Sequence, residues 1–135
     1  MIKHSIRIAA ILLAASLLSM QPLQAQAQAP DIHRTDVVRG DLGVAGREVI
    51  QVRVDFGPGV AFPRHSHPGV EIAYVLSGTL EYQLEGNPPV TLQAGEAVFI
   101  PAGVRHAARN AGQGNASELA TYIVEKGAPL VVLDK

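Results

Sequence analysis

Residues 59–78 read GVAFPRHSHPGVEIAYVLSG, and residues 95–110 read GEAVFIPAGVRHAARN. In the first stretch His65, His67 and Glu71 share parity. An extended strand sends every second side chain to one face, so all three can point inward. In a helix, residues two apart face away from each other, and the same spacing would build no site. Pro68-Gly69 interrupts the run, and a proline inside a ladder predicts a bulge or an edge there. In the second stretch Pro101-Ala102-Gly103 supplies a tight turn, after which His106, Ala108 and Asn110 fall on one face. Of the five histidines, His4 lies in an N-terminal leader and His33 in a weakly patterned segment, so the other three all sit in these two stretches. Three neutral imidazoles and a carboxylate suit one divalent transition metal, such as Mn, Fe, Zn, Cu, Ni or Co.

The flanks agree with the strand reading. Ile50, Val52, Val54 and Phe56 alternate with Gln51, Arg53 and Asp55, the period-2 signature of a half-buried strand. Leu80, Tyr82 and Leu84 repeat that pattern, Val90 to Leu92 and Ala97 to Ile100 are short extended runs, and Leu119 to Val124 is a longer one. Gly57-Pro58-Gly59, Gly86-Asn87-Pro88-Pro89 and the segment 111–115 separate them as turns. Turns recur about every ten residues and no long segment has a helical period, which together predict an all-β sandwich or small barrel. The expected divisions are an extended arm or edge strand over 28–46, the barrel over 47–126 and a tail over 127–135. Leu130 to Leu133 in the tail could pair at an edge or with a second subunit.

A length of 135 residues with 47% hydrophobic content suits one domain. Residues 1–27 have the layout of a secretory signal peptide: Lys3 and Arg7, an apolar run from Ile8 to Met20, then small residues that allow cleavage after Ala25, Ala27 or Ala29. The run is too short to span a bilayer comfortably. With no twin-arginine pair before it, general secretion of the unfolded chain to the periplasm or beyond is expected. Losing Lys3 and Arg7 leaves nine basic against twelve acidic residues, a formal net charge of −3. That balance offers no footprint for nucleic acid or for a membrane surface. Without cysteine there is neither a disulfide framework nor a lipid-anchoring thiol.

The first stretch spells G-x5-H-x-H-x3-E-x6-G through Gly59, His65, His67, Glu71 and Gly78. The second spells G-x5-P-x-G-x2-H-x3-N through Gly95, Pro101, Gly103, His106 and Asn110. Together they resemble the two motifs of the cupin superfamily, with no departure at any motif position. The resemblance implies a double-stranded β-helix, a jelly-roll barrel of six or more strands with a metal inside it. It also implies that His65, His67, Glu71 and His106 are the metal ligands, that the glycines and Pro101 shape turns, and that the protein is a homodimer. Cupins do not share one activity. The expected function is metal-dependent chemistry on a small organic molecule, dioxygenase-like by analogy with quercetin dioxygenases, with Glu71 shifting between ligand and base. The alternatives are a non-catalytic module that binds metal or a small ligand, and a cupin isomerase or decarboxylase.

Other side chains have plainer expectations. Phe62, Tyr74, Tyr82 and Phe99 read as sheet core ahead of pocket lining, and Tyr74 has the parity opposite to Glu71. Arg64, Arg105 and Arg109 fall on the parity opposite to the histidines and read as solvated surface, with Arg64 able to gate an acidic ligand if a bulge rotates it.

Overall fold

Alternation in the sequence becomes alternation in burial. In the strand Arg47–Phe56 (β2) the side chains of Ile50, Val52, Val54 and Phe56 are buried while those between them are open or half-open. Each such burial contributes about 1.5–3 kcal/mol. The computed structural model describes residues 31–134; the leader and its cleavage positions lie outside the described residues. Its other strands are β1 (Ile32–Asp41), β3 (Ala61–Ser66), β4 (Val70–Ser77), β5 (Thr79–Leu84), β6 (Val90–Gln93), β7 (Ala97–Ile100), β8 (His106–Asn110), β9 (Ala116–Glu125) and β10 (Val132–Leu133). There is no helix among the described residues.

The strands form two five-stranded sheets, in the orders β1-β2-β9-β4-β7 and β10-β3-β8-β5-β6, with every pairing antiparallel. Their apolar inner faces close on one another as a jelly-roll barrel, with Val52, Phe56, Ala73, Val75, Leu80 and Ala120 inside. The arm of the sequence reading supplies β1, an edge strand. Leu130 to Leu133 ends in β10, which pairs Val132 with Ser66 and Leu133 with His65. The motif glycines Gly59, Gly78, Gly95 and Gly103 all have positive φ, a conformation glycine adopts without steric cost.

Two aromatic expectations need correction. Phe99 is 58% exposed and Tyr74 is 43% exposed, so neither is core nor pocket wall. The reason is parity: β7 turns Ile100 inward, and β4 turns Glu71, Ala73 and Val75 inward, which leaves Phe99 and Tyr74 outside. Tyr82 and Phe62 do face the interior.

Asn110 ends the second motif and is fully buried, but it is a fastener and not a ligand. Its Nδ2 donates to the carbonyls of Phe56 (3.3 Å), Gly57 (3.0 Å) and Gly114 (2.7 Å), and its Oδ1 accepts from the Gly112 N–H at 2.9 Å. One amide thus ties the end of β2 to the loop before β9. Replacing it by alanine leaves buried carbonyls without a donor, so Asn110→Ala should cost about 2 kcal/mol. Urea denaturation should register this as a lower midpoint, while the folded fraction keeps its metal affinity.

Candidate metal centre

The four motif side chains converge, and strand parity is only part of the reason. His65 is the last residue but one of β3 in one sheet, and Glu71 is the second residue of β4 in the other. Residues 67–69 between them are a corner that crosses from sheet to sheet, so His67 enters the barrel from a loop. The bulge lies earlier than the sequence suggests. Pairing of β3 with β8 runs Phe62 to Ala108 and then His65 to His106, a slip of one residue at Pro63-Arg64. That slip lets Phe62 and His65, three apart, both face the interior, their rings 4.6 Å apart edge to face. His106 arrives on β8 directly opposite His65.

One ligand atom from each of His65, His67, Glu71 and His106 lies within 4.8 Å of all the others, and all four residues are buried. Each imidazole is oriented by its far nitrogen. His65 Nδ1 donates to the Pro63 carbonyl at 2.7 Å, His106 Nδ1 to Val104 at 2.9 Å and His67 Nδ1 to Leu130. Such outer partners fix the tautomer and leave Nε2 as a lone pair aimed at the centre. His65 and His67 then bring two Nε2 atoms to 3.1 Å. Glu71 Oε2 lies 2.9 Å from His67 Nε2 and 3.2 Å from His106 Nε2. Despite those distances, Oε2 is the one buried side-chain polar atom among the described residues with no hydrogen-bond partner. The distances and the missing bond agree once the protons are on Nδ1: acceptor faces acceptor. Four convergent acceptors and an orphaned carboxylate oxygen fit a divalent cation.

The electrostatics describe the metal-free alternative, in which an imidazole proton turned to Glu71 stands in for the cation. Burial, then the neighbouring His106, pushes His65 down to about 3, so it is a neutral ligand at any ordinary pH. Burial works to raise Glu71, but His106 and His67 outweigh it and bring the carboxyl to about 2. Burial likewise opposes charge on His106, yet Glu71 and the Val104 carbonyl hold it above its ordinary value. Without a metal, a proton on His106 is the available substitute cation.

His67 owes its orientation to Leu130, beyond the barrel strands, so the tail belongs to the site. Truncation after Lys126 removes that acceptor together with β10. The loss of an outer partner typically costs 10–100-fold in metal affinity, and competitive titration with a chelating dye should show a loss in that range. Unchanged affinity would mean that His67 is held by packing alone.

Three cavity residues escaped the sequence reading. Glu118 and Tyr122 project inward from β9, and Arg34 from β1; all three line the same cavity as His65, Glu71 and His106. Tyr82 on the opposite sheet donates its hydroxyl to Glu118 Oε2 across the barrel. Burial, and after it the charge of Glu71, raises Glu118 to about 8 despite that bond. The arginines singled out in the sequence lie outside. Arg64 pairs with Glu85 and Asp134, Arg105 with Asp134 and Arg109 with Glu81, so Arg64 does not gate the cavity.

Two sheets closed around a three-histidine, one-glutamate cluster define a metal-binding cupin, and the chain belongs to that family: the cupin domain model matches residues 52–124. It is 45% identical over 51 residues to the dimethylsulfoniopropionate lyase DddQ of Ruegeria pomeroyi, covering 38% of this chain and 25% of the lyase. The crystal structure of that lyase superposes with a TM-score of 0.66 at 25% identity, over 84% of this chain and 58% of the lyase chain. Germin-like protein 1-1 of Oryza sativa subsp. japonica is 36% identical over 85 residues, covering 59% of this chain and 39% of that protein. A structure of oxalate oxidase matches with a TM-score of 0.63 at 26% identity, over 79% of this chain and 57% of that one. The sequence matches thus span 25% and 39% of the two curated relatives, and the superpositions 58% and 57% of the two solved chains, less than two thirds in every case.

Proposed function

We propose that the protein is an exported, metal-dependent enzyme acting on a small organic molecule held between the two sheets. The observation that carries this reading is the company the metal ligands keep. Glu118 lines the same cavity with its carboxyl raised to about 8, so it is an un-ionised acid at neutral pH. A strongly perturbed acid in a cleft, here beside a cluster of metal-ligating side chains, marks a candidate functional site. When bound, a divalent ion would supply Lewis acidity and open coordination positions. Glu118 would hold the proton to be given or taken, with Tyr82 fixing which oxygen carries it, and Glu71 could exchange its role as ligand for that of a base. Kinship with a dimethylsulfoniopropionate lyase and an oxalate oxidase supports metal-centred chemistry on small molecules, and those two names describe different reactions. Dioxygenase-like, lyase, isomerase and decarboxylase activities are therefore forms of one proposal that assays separate.

The rival reading, a module that binds metal or a small ligand without turnover, is favoured by the narrowness of the cavity. Its free volume is only ≈ 10 Å³, room for about one water and far below the usual ligand pocket. Metal-loaded protein is to be offered enols, diketones, flavonols and short carboxylic acids while oxygen uptake and products are followed. Turnover is expected, and Glu118→Gln should lower it by about 10²–10⁴-fold, the usual worth of a placed acid or base, with metal content unchanged. Binding without turnover would establish the rival.

Two further parts of the proposal concern the whole molecule. The leader supports export by general secretion to the periplasm or medium, which the N-terminal sequence of natively exported protein tests. Ile72, Leu76 and Phe99 stand exposed with Tyr74 on the outer face of β4 and β7, an apolar surface that supports pairing of two copies. Size measurement in solution tests that.

A further inference from the structure

Five arginines among the described residues pair with carboxylates: Arg39 with Glu48, Arg53 with Asp55, and Arg64, Arg105 and Arg109 as given above. Arg34 is different. It stands on β1 opposite Val54, and Val54 stands opposite Glu118 on β9. Its side chain leaves the strand on the barrel side, as that of buried Ile32 does two residues earlier. The guanidinium lies 5.8 Å from the centre of the Phe62 ring, comes up to the Tyr122 hydroxyl and faces the cavity that His65, Glu71 and His106 share. Among the described residues no carboxylate forms an ion pair with it. The interior acid nearest in register, Glu118, is instead bonded to Tyr82 and makes no ion pair with Arg34.

A half-buried cation without a counter-charge is costly unless something supplies one. The guanidinium presents a planar fork of N–H donors that matches a carboxylate better than any neutral group. With a divalent ion in place, its two charges and that of Arg34 would exceed those of Glu71 and Glu118 even with both carboxylates ionised, so the interior would carry a positive excess. The enclosed free volume, ≈ 10 Å³, is about that of one water, so only a short molecule seated in the open mouth would reach both Arg34 and the metal ligands. We propose that Arg34 anchors the carboxylate of a small anionic ligand whose other end reaches the centre formed by His65, His67, Glu71 and His106. Arg34 is thus the residue that selects anionic over neutral substrates. This inference rests on reading the cavity as a small-molecule site, and it adds the class: short-chain acids with a second metal-binding group.

The test compares succinate with succinamide, which has the same shape but an amide at each end and so no carboxylate for Arg34. Both are titrated calorimetrically into zinc-loaded wild type, Arg34→Gln and Arg34→Lys. In the wild type succinate should bind at least tenfold more tightly than succinamide, the difference between a charge-assisted and a neutral hydrogen bond. In Arg34→Gln that preference should fall by about tenfold, through weaker succinate binding alone, and Arg34→Lys should keep part of it. Zinc content should match the wild type, because Arg34 does not ligate metal, and the thermal midpoint of Arg34→Gln should not fall, because the variant loses a half-buried charge that has no counter-charge. The ratio of ratios removes any contribution from chelation, which the variants share. An undiminished succinate preference in Arg34→Gln overturns the assignment of Arg34. Equal binding of the two compounds by the wild type overturns the anionic class but leaves the small-molecule reading standing. If neither compound binds and nothing in the wider panel does, that reading fails and this inference fails with it.

Discussion

Glu71→Gln should stabilise the metal-free protein while lowering its affinity for a divalent ion by more than a hundredfold. The two effects have one cause. In the wild type Oε2 faces the Nε2 lone pairs of His67 and His106 at 2.9 and 3.2 Å and has no hydrogen-bond partner. An amide of the same shape puts two N–H donors where those lone pairs point. A buried acceptor left unpaired costs about 1–3 kcal/mol, so the variant should recover part of that. In a domain of this size each kcal/mol moves the thermal midpoint by about 4–8 °C. The ion loses its one anionic ligand, and the loss should exceed the 10–100-fold typical of merely outer partners. Calorimetric melts of metal-free protein in alkaline buffer, where His106 gives up its proton, isolate the first effect; competitive chelator titration reads the second. A melting point that falls with the substitution would mean that the acceptor cluster is relieved some other way, and the argument for a cation would lose its main support.

The site was legible because its residues are rare and closely spaced, whereas its surroundings were not. His65, His67, Glu71 and His106 come from two short stretches, and local turns bring them together. Glu118 was hidden by an ambiguous strand. From Leu119 to Val124 both faces of β9 carry apolar residues, so the pattern names no inward side; Leu119, Thr121 and Ile123 are the less buried ones, while Glu118, Ala120, Tyr122 and Val124 point inward. Only the pairing with β2, where Glu118 meets Val54 and Ala120 meets Val52, settles which face is which, and register between distant strands is not written in local pattern. Arg34 was missed for the same reason. Its strand carries mostly polar residues and gains its place only by lying beside Val54. The order of strands within each sheet is likewise a long-range property, although the number and spacing of turns gave the class of fold.

Gly69 should be the least replaceable residue of the first motif outside the metal ligands. The sequence marks Pro68-Gly69 as an interruption of a strand; in the fold it is the corner that carries the chain from one sheet to the other, between His67 and Glu71. A Cβ built on Gly69 would lie 1.9 Å from the Ile123 carbonyl oxygen, 2.8 Å from the Ile123 carbonyl carbon and 2.9 Å from Val124 Cα. All three are backbone atoms of β9, which is held between β2 and β4, so no side chain can swing aside. Relief requires parting β4 from β9 where Val70 pairs with Ile123, and that displaces the two ligands flanking the corner. Overpacking of this kind costs roughly 4 kcal/mol or more, a large share of the 5–15 kcal/mol that holds a typical domain together. Gly69→Ala should therefore be largely unfolded, or fold with a urea midpoint far below that of the wild type and a metal site too distorted to bind. Gly114→Ala is the control. No atom lies within 4 Å of its added Cβ and its φ is not positive, so it should change stability by no more than about 0.5 kcal/mol. If the two variants prove equally stable, the corner does not press on β9, and the route by which His67 and Glu71 reach one another must be drawn differently.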